Sequence, residues 1–192
     1  GALTANEAAT LADGLAPRDG FDRRFLDFAV DAPRFTRSRR DDLAPLDGDI
    51  ELRYCHFSVW LSRTRKYPLC VAWNIDGNQF KRLARTNFRT ERRGELESFQ
   101  FDDKLYRNNP LDKGHIARRA DLCWGSIDEA RQGNYDSFYY TNIVPQHEAF
   151  NQSGNTDGVM YRSSRRCAGW LVRFISPDTM LNDVSCCYAR GC

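Results

Sequence analysis

LDKGHIARRADLCWG, residues 111–125, and DSFYYTNIVPQHEAFNQ, residues 136–152, carry the reading of this chain. His115 follows a lysine and a glycine. Asn142 opens Asn-Ile-Val-Pro-Gln, and Asn151 ends Ala-Phe-Asn shortly after. Phe138–Val144 is aromatic and β-branched and reads as a strand stopped by Pro145, with His147–Asn151 as the first turn of a helix. Ser126, with Glu129 three residues on, has the form of a capping box, so another helix opens between the two motifs. The order strand, connection, strand, helix gathers residues distant in sequence onto one small platform.

Upstream, Tyr54–Leu61 and Leu69–Ile75 form an aromatic and β-branched strand pair, joined by the basic segment Ser62–Pro68 and followed by an Asp76-Gly77 turn. His56 falls inside the first of these strands, where a packed or surface histidine is the simpler reading. Asn108-Asn109-Pro110 marks a turn just before the key histidine. Residues 6–14 suggest a short helix ended by Gly14. Beyond Gly154, Gly169–Ile175 has strand character and Ser176-Pro-Asp reads as a turn. The pattern predicts an α+β fold: a largely antiparallel central sheet with helices against it and a two-strand-plus-helix finger.

A chain of 192 residues with 41% hydrophobic and 12% aromatic content is long enough for one domain with its own core, spanning residues 1–192. No internal repeat, low-complexity block or linker divides it. No apolar run reaches membrane-spanning length, and no signal peptide is visible. A chain beginning at Gly1 is compatible with processing, so the sequence assigns no compartment. The seven cysteines show no repeated spacing and are read as buried or incidental thiols. Net charge is only +2, so local clustering carries more information. Lys81, Arg82, Arg85, Arg89, Arg92 and Arg93 form one basic run against Glu91; Arg34, Arg37, Arg39 and Arg40 form another, closed by Asp41 and Asp42.

A histidine, a neighbouring cation and two amides meet the demands of phosphodiester hydrolysis. The attacking water must lose a proton, which an imidazole can accept near neutral pH. Charge on the five-coordinate phosphorus and the departing oxygen must be offset. A hard divalent cation does this with few protein ligands, because magnesium keeps several of its waters. Lys113 and the nearby arginines can hold the backbone in line.

At these residues the chain resembles the DNA/RNA non-specific endonucleases of the ββα-metal, or His-Me finger, superfamily. DKGHIARRAD is similar to the family's Asp-Arg-Gly-His signature with one change, and TNIVPQHEAFNQ to its Asn-x-x-Pro-Gln followed by a metal-binding asparagine. The resemblance reaches back through YCHFSVWLSRTRKYPLCVAWNIDG, residues 54–77, and DGFDRRFL, residues 19–26, and covers roughly residues 20–152. It implies His115 as general base, Asn142 as a support of the site's geometry, and Asn151 as the sole direct protein ligand of Mg2+ or Mn2+. It further implies contacts with the DNA or RNA backbone by Arg118 and Arg119, and by an upstream arginine among Arg82, Arg85 and Arg89. Lys113 stands where the family has arginine; it keeps the charge but loses the bidentate fork.

After Asn151 the text departs from the family. Val159 stands where the resemblance places a glutamate that helps hold the metal's waters, and residues 155–192 are atypical. A divergent tail, or a change of reading frame near residue 158, would each account for this. Three readings follow: a metal-dependent endonuclease with little sequence preference, a nucleic-acid binder on the same scaffold with impaired catalysis, or a structural or interaction protein in which the motif residues only pack.

Overall fold

A computed structural model of the chain describes residues 14–147, and the backbone of two further strands, Ala168–Ile175 and Val184–Arg190. The expected helix at residues 6–14 and the turn at Ser176 lie essentially outside the described residues.

Among those residues the chain forms a five-stranded antiparallel sheet and a separate two-stranded ribbon. The sheet runs β1 (Leu52–Tyr54), β2 (Phe57–Leu61), β3 (Pro68–Asp76), β6 (Ala168–Ile175) and β7 (Val184–Arg190) in spatial order. The ribbon pairs β4 (Leu111–His115) with β5 (Ile143–His147). Among the described residues three α-helices accompany them, besides short 3-10 turns: α1 (Arg37–Asp41), α2 (Arg119–Leu122) and α3 (Ile127–Ser137). The α+β expectation holds. The strand read at Gly169–Ile175 is β6, which pairs with β3 along its length, so the atypical tail contributes to the sheet.

β2 is buried throughout and β3 is buried up to its last residue, because both of their faces are covered. Alternation divides their side chains between two clusters. Phe57, Val59 and Leu61 with Val71, Trp73 and Ile75 face a core that also takes Ile116, Leu122, Tyr139 and Val144 from the ribbon and helix layer. Trp60, Cys70 and Ala72 face the opposite way, toward Phe21, Val30, Phe35 and Leu43. In the described residues that second layer is mostly irregular chain, with the short α1 between Phe35 and Leu43. Burying a large apolar side chain contributes about 1.5–3 kcal/mol, so this divided core dominates the stability of the scaffold.

Two strand readings need correction. The expected strand Tyr54–Leu61 is broken by a tight turn at Cys55-His56, with His56 at φ 72°. The turn frees the His56 ring to stack on Trp124, with ring centroids 3.5 Å apart. The expected strand Phe138–Val144 starts only at Ile143 and continues through Pro145 to His147. Phe138, Tyr139 and Tyr140 instead turn at the end of α3 and pack inward. Pro145 is tolerated because it pairs with Lys113 in a ribbon of two strands, where a missing backbone donor can face the open edge. The helix expected from His147 lies outside the described residues beyond its first position, and that position ends β5.

Candidate active site

The ribbon and the end of α3 build the site around His115. In β4, Leu111, Lys113 and His115 share one face, and Asp112 and Gly114 the other, by the two-residue period of a strand. Gly114 pairs with Val144, and a Cβ on it would lie 2.1 Å from the Cδ of Gln146. The glycine of Lys-Gly-His and the glutamine of Pro-Gln therefore need each other: the amide lies over the bare backbone. Gln146 is buried, and its Oε1 has no protein partner.

Asn142, fully buried, clasps the chain leaving His115. Its Oδ1 accepts from the Ala117 amide at 2.9 Å, and its Nδ2 donates to the carbonyls of Ala117 at 2.9 Å and Ser137 at 3.0 Å. Its own carbonyl accepts from the Ile116 amide at 3.0 Å. One side chain thus ties the exit of β4 to the last turn of α3, and its hydrogen-bonding groups point inward, away from any ligand.

The His115 ring lies edge-on to Phe138, with centroids 5.0 Å apart, and against Phe88 at 5.4 Å. Its Nε2 is buried with no protein partner. Burial, then the positive charges of Arg85 and Arg119, push its pKa down to about 3. The imidazole is therefore neutral across the physiological range, with a nitrogen uncommitted to the protein.

The basic residues divide by where their charges go. Arg85 is exposed, and its guanidinium lies 5.5 Å from the centre of the Phe138 ring beside His115. Arg119 reaches the Leu83 carbonyl at 2.8 Å. Arg118 precedes α2 as its N-cap residue. Arg89 turns elsewhere. Its guanidinium stacks 3.5 Å above Tyr135 and donates to Thr86 Oγ1 at 2.8 Å and the Asn87 carbonyl at 2.9 Å. Its backbone also bridges to Phe138 and Tyr140. Arg89 fastens the basic run to α3 rather than presenting its charge beside His115.

Next to His115 opens a polar cleft of about 440 Å³, lined by Arg85, Phe88, Asp103, Tyr106, Arg107 and Lys113 among others. The Lys113 ammonium bonds to the Asp103 carboxylate, which also accepts from the Tyr140 hydroxyl. Phe88, Tyr106 and Tyr140 surround that ammonium at 4.7, 5.6 and 5.8 Å from their ring centres. Hydrogen bonds from Lys113 and then Tyr140 hold the Asp103 carboxyl below its ordinary range. Asp103, Tyr106 and Tyr140 have no motif signal in the sequence, whereas Gln146 closes the Asn-x-x-Pro-Gln motif. Phe88, an aromatic residue interleaved among arginines, is the local sequence signal for this cleft.

Asn151 lies outside the described residues. Among those residues, no group of three or more His, Cys, Asp or Glu could hold a metal. Any divalent ion implied by the resemblance would draw on Asn151 and its own waters, which suits a hard cation.

The family described as DNA/RNA non-specific endonuclease matches residues 42–172, starting later than the motif resemblance and ending beyond it, within β6. The chain is also similar to the uncharacterized protein y4fB of Sinorhizobium fredii (strain NBRC 101917 / NGR234). The two are 37% identical over 153 residues, which covers 72% of this chain and 23% of that protein. The chain spans under a quarter of this relative's length. The family match covers more than half of the chain, which therefore belongs to the DNA/RNA non-specific endonuclease family.

Proposed function

We propose that this chain is a metal-dependent endonuclease that hydrolyses phosphodiester bonds of DNA and RNA with little sequence preference, using His115 as general base. The observation that carries the reading is the buried, unpartnered Nε2 of a neutral imidazole beside a cationic cleft. A water held at this nitrogen transfers a proton to it while its oxygen attacks phosphorus. The bond from phosphorus to the departing sugar oxygen then breaks, and that oxygen takes a proton from solvent. A substrate phosphate beside Arg85 and Arg119 offsets the charges that depress His115, raising its proton affinity where base strength is needed.

When bound, through Asn151, a hard ion such as Mg2+ or Mn2+ supplies positive charge for the crowded phosphorus and the departing oxygen. Asn142 keeps the His115 strand in place. Arg85, Arg119 and Arg118 contact phosphate, as does Lys113, whereas the stacking of Arg89 on Tyr135 makes it a brace. Such contacts carry no base information, and binding through them weakens with salt.

The second reading is a nucleic-acid binder without catalysis, favoured by Val159 at the place of the expected glutamate. Nicking of supercoiled plasmid with magnesium, in the wild type and in His115→Ala, separates the two. The nuclease reading expects a fall of about 10²- to 10⁴-fold in rate. Equal cutting by both proteins refutes the role of His115; gel-shift binding with no cutting by either supports the second reading.

A further inference from the structure

The cleft beside His115 holds a cation in an unusual setting. Lys113 is a compact point charge with three donors and no fixed plane, so a free lysine side chain would present phosphate with many orientations. Here it is confined. Three aromatic rings face the ammonium, and Asp103 takes one of its donors. The Lys113 side chain is 24% exposed, while Asp103, at the mouth, is 60% exposed. Tyr140 donates to the same Asp103 oxygen and, as part of the buried turn after α3, ties the carboxylate to the layer that supports His115. Lys113 and His115 are two residues apart on one strand face, so whatever fixes the ammonium also fixes its position relative to the imidazole.

Resting on the nuclease reading, we infer that Asp103 is a positioning residue: with Tyr140 it fixes the Lys113 ammonium in the cleft, leaving its remaining donors for a phosphate oxygen of the bound strand. The alternative physical outcome is competition, in which the carboxylate merely occupies the lysine and its removal strengthens the grip on phosphate. Two features favour positioning. Among the described residues the ammonium's hydrogen bond goes to Asp103 Oδ1, which Tyr140 also holds, so one of its three donors is engaged by the carboxylate. The rings contribute attraction without consuming those donors.

A double-mutant cycle on plasmid cleavage tests this, using Asp103→Asn, Lys113→Ala and the double variant, with Tyr140→Phe as a milder second probe. Acting through Lys113, Asp103→Asn should lower kcat about tenfold, leave KM nearly unchanged, and have no further effect once Lys113 is alanine. Tyr140→Phe should show the same dependence at smaller size. An equal loss in the Lys113→Ala background, no loss, or faster cleavage by Asp103→Asn would each overturn the inference. A readout independent of cleavage is the Lys113 ammonium resonance in 15N-lysine spectra. A hindered, slowly exchanging signal lost in Asp103→Asn supports the hold, and a signal as mobile in the wild type as in the variant refutes it. A wild type that holds Lys113 yet never cuts nucleic acid would instead remove the nuclease reading.

Discussion

At the scale of single residues, the motif glycine shows why pattern and packing are separate kinds of information. Lys-Gly-His is legible as a motif from sequence alone, but the need for glycine becomes physical only with Gln146 lying over it. Gly114→Ala should therefore overpack the ribbon and cost about 1–3 kcal/mol of unfolding free energy. Adding Gln146→Ala should return most of that loss, since the clash is with a side chain rather than with backbone. Urea titration of the two variants checks this: no recovery in the double variant would show that the strain lies elsewhere in β4. His115 and Asn142 stand out as candidates from their company in the sequence, whereas Asp103 carries no signal, because its partner stands ten positions away across a cleft. Arg85 and Arg89 look equivalent in the basic run. Only packing on Phe138 or on Tyr135 tells them apart.

Among elements, α3 was the most readable and also holds a result that propensity alone would get wrong. The capping box is present in full: Ser126 Oγ accepts from the Glu129 amide, and Glu129 Oε2 accepts from the Ser126 amide. Such local chemistry depends on residues a few positions apart, so the sequence displays it. Strand limits depend instead on what the strand meets. Phe138–Tyr140 have strand-like side chains, but the core under α3 claims them for a buried turn, and tertiary packing overrides propensity. Gly133 is the sharper case. In an exposed helix, alanine would be favoured over glycine by about 1 kcal/mol. Here the added Cβ would lie 2.3 Å from the carbonyl oxygen of Leu122, which belongs to α2 and is backbone. Gly133→Ala should thus lower the thermal midpoint by several degrees, about what 1–2 kcal/mol does in a domain of this size. A raised midpoint would mean that α2 can move away freely.

For the whole molecule, acid sensitivity follows from two histidines kept neutral by the fold. His56, stacked on Trp124 in the β1–β2 turn, has its pKa lowered to about 4, chiefly by burial; His115 falls to about 3. In the unfolded chain both take up a proton near pH 6.5. Between there and their folded values the unfolded state binds more protons, so stability falls as pH falls. The window runs from about pH 6.5 down to 4 for His56, and to 3 for His115. At pH 5 each histidine lowers stability by about 2 kcal/mol at most, relative to pH 7, given 1.36 kcal/mol per pKa unit. The carboxyls of Asp42, Asp103 and Glu129, all held below their ordinary range, sharpen the loss only at lower pH, where carboxylates titrate. His56 lies outside the cleft and so isolates the effect. Asn suits its positive φ, and His56→Asn should shrink the pH 7 to pH 5 difference in urea-unfolding free energy by up to about 2 kcal/mol. An unchanged difference would mean that the His56 ring takes up its proton without unfolding, through a turn that opens at little cost.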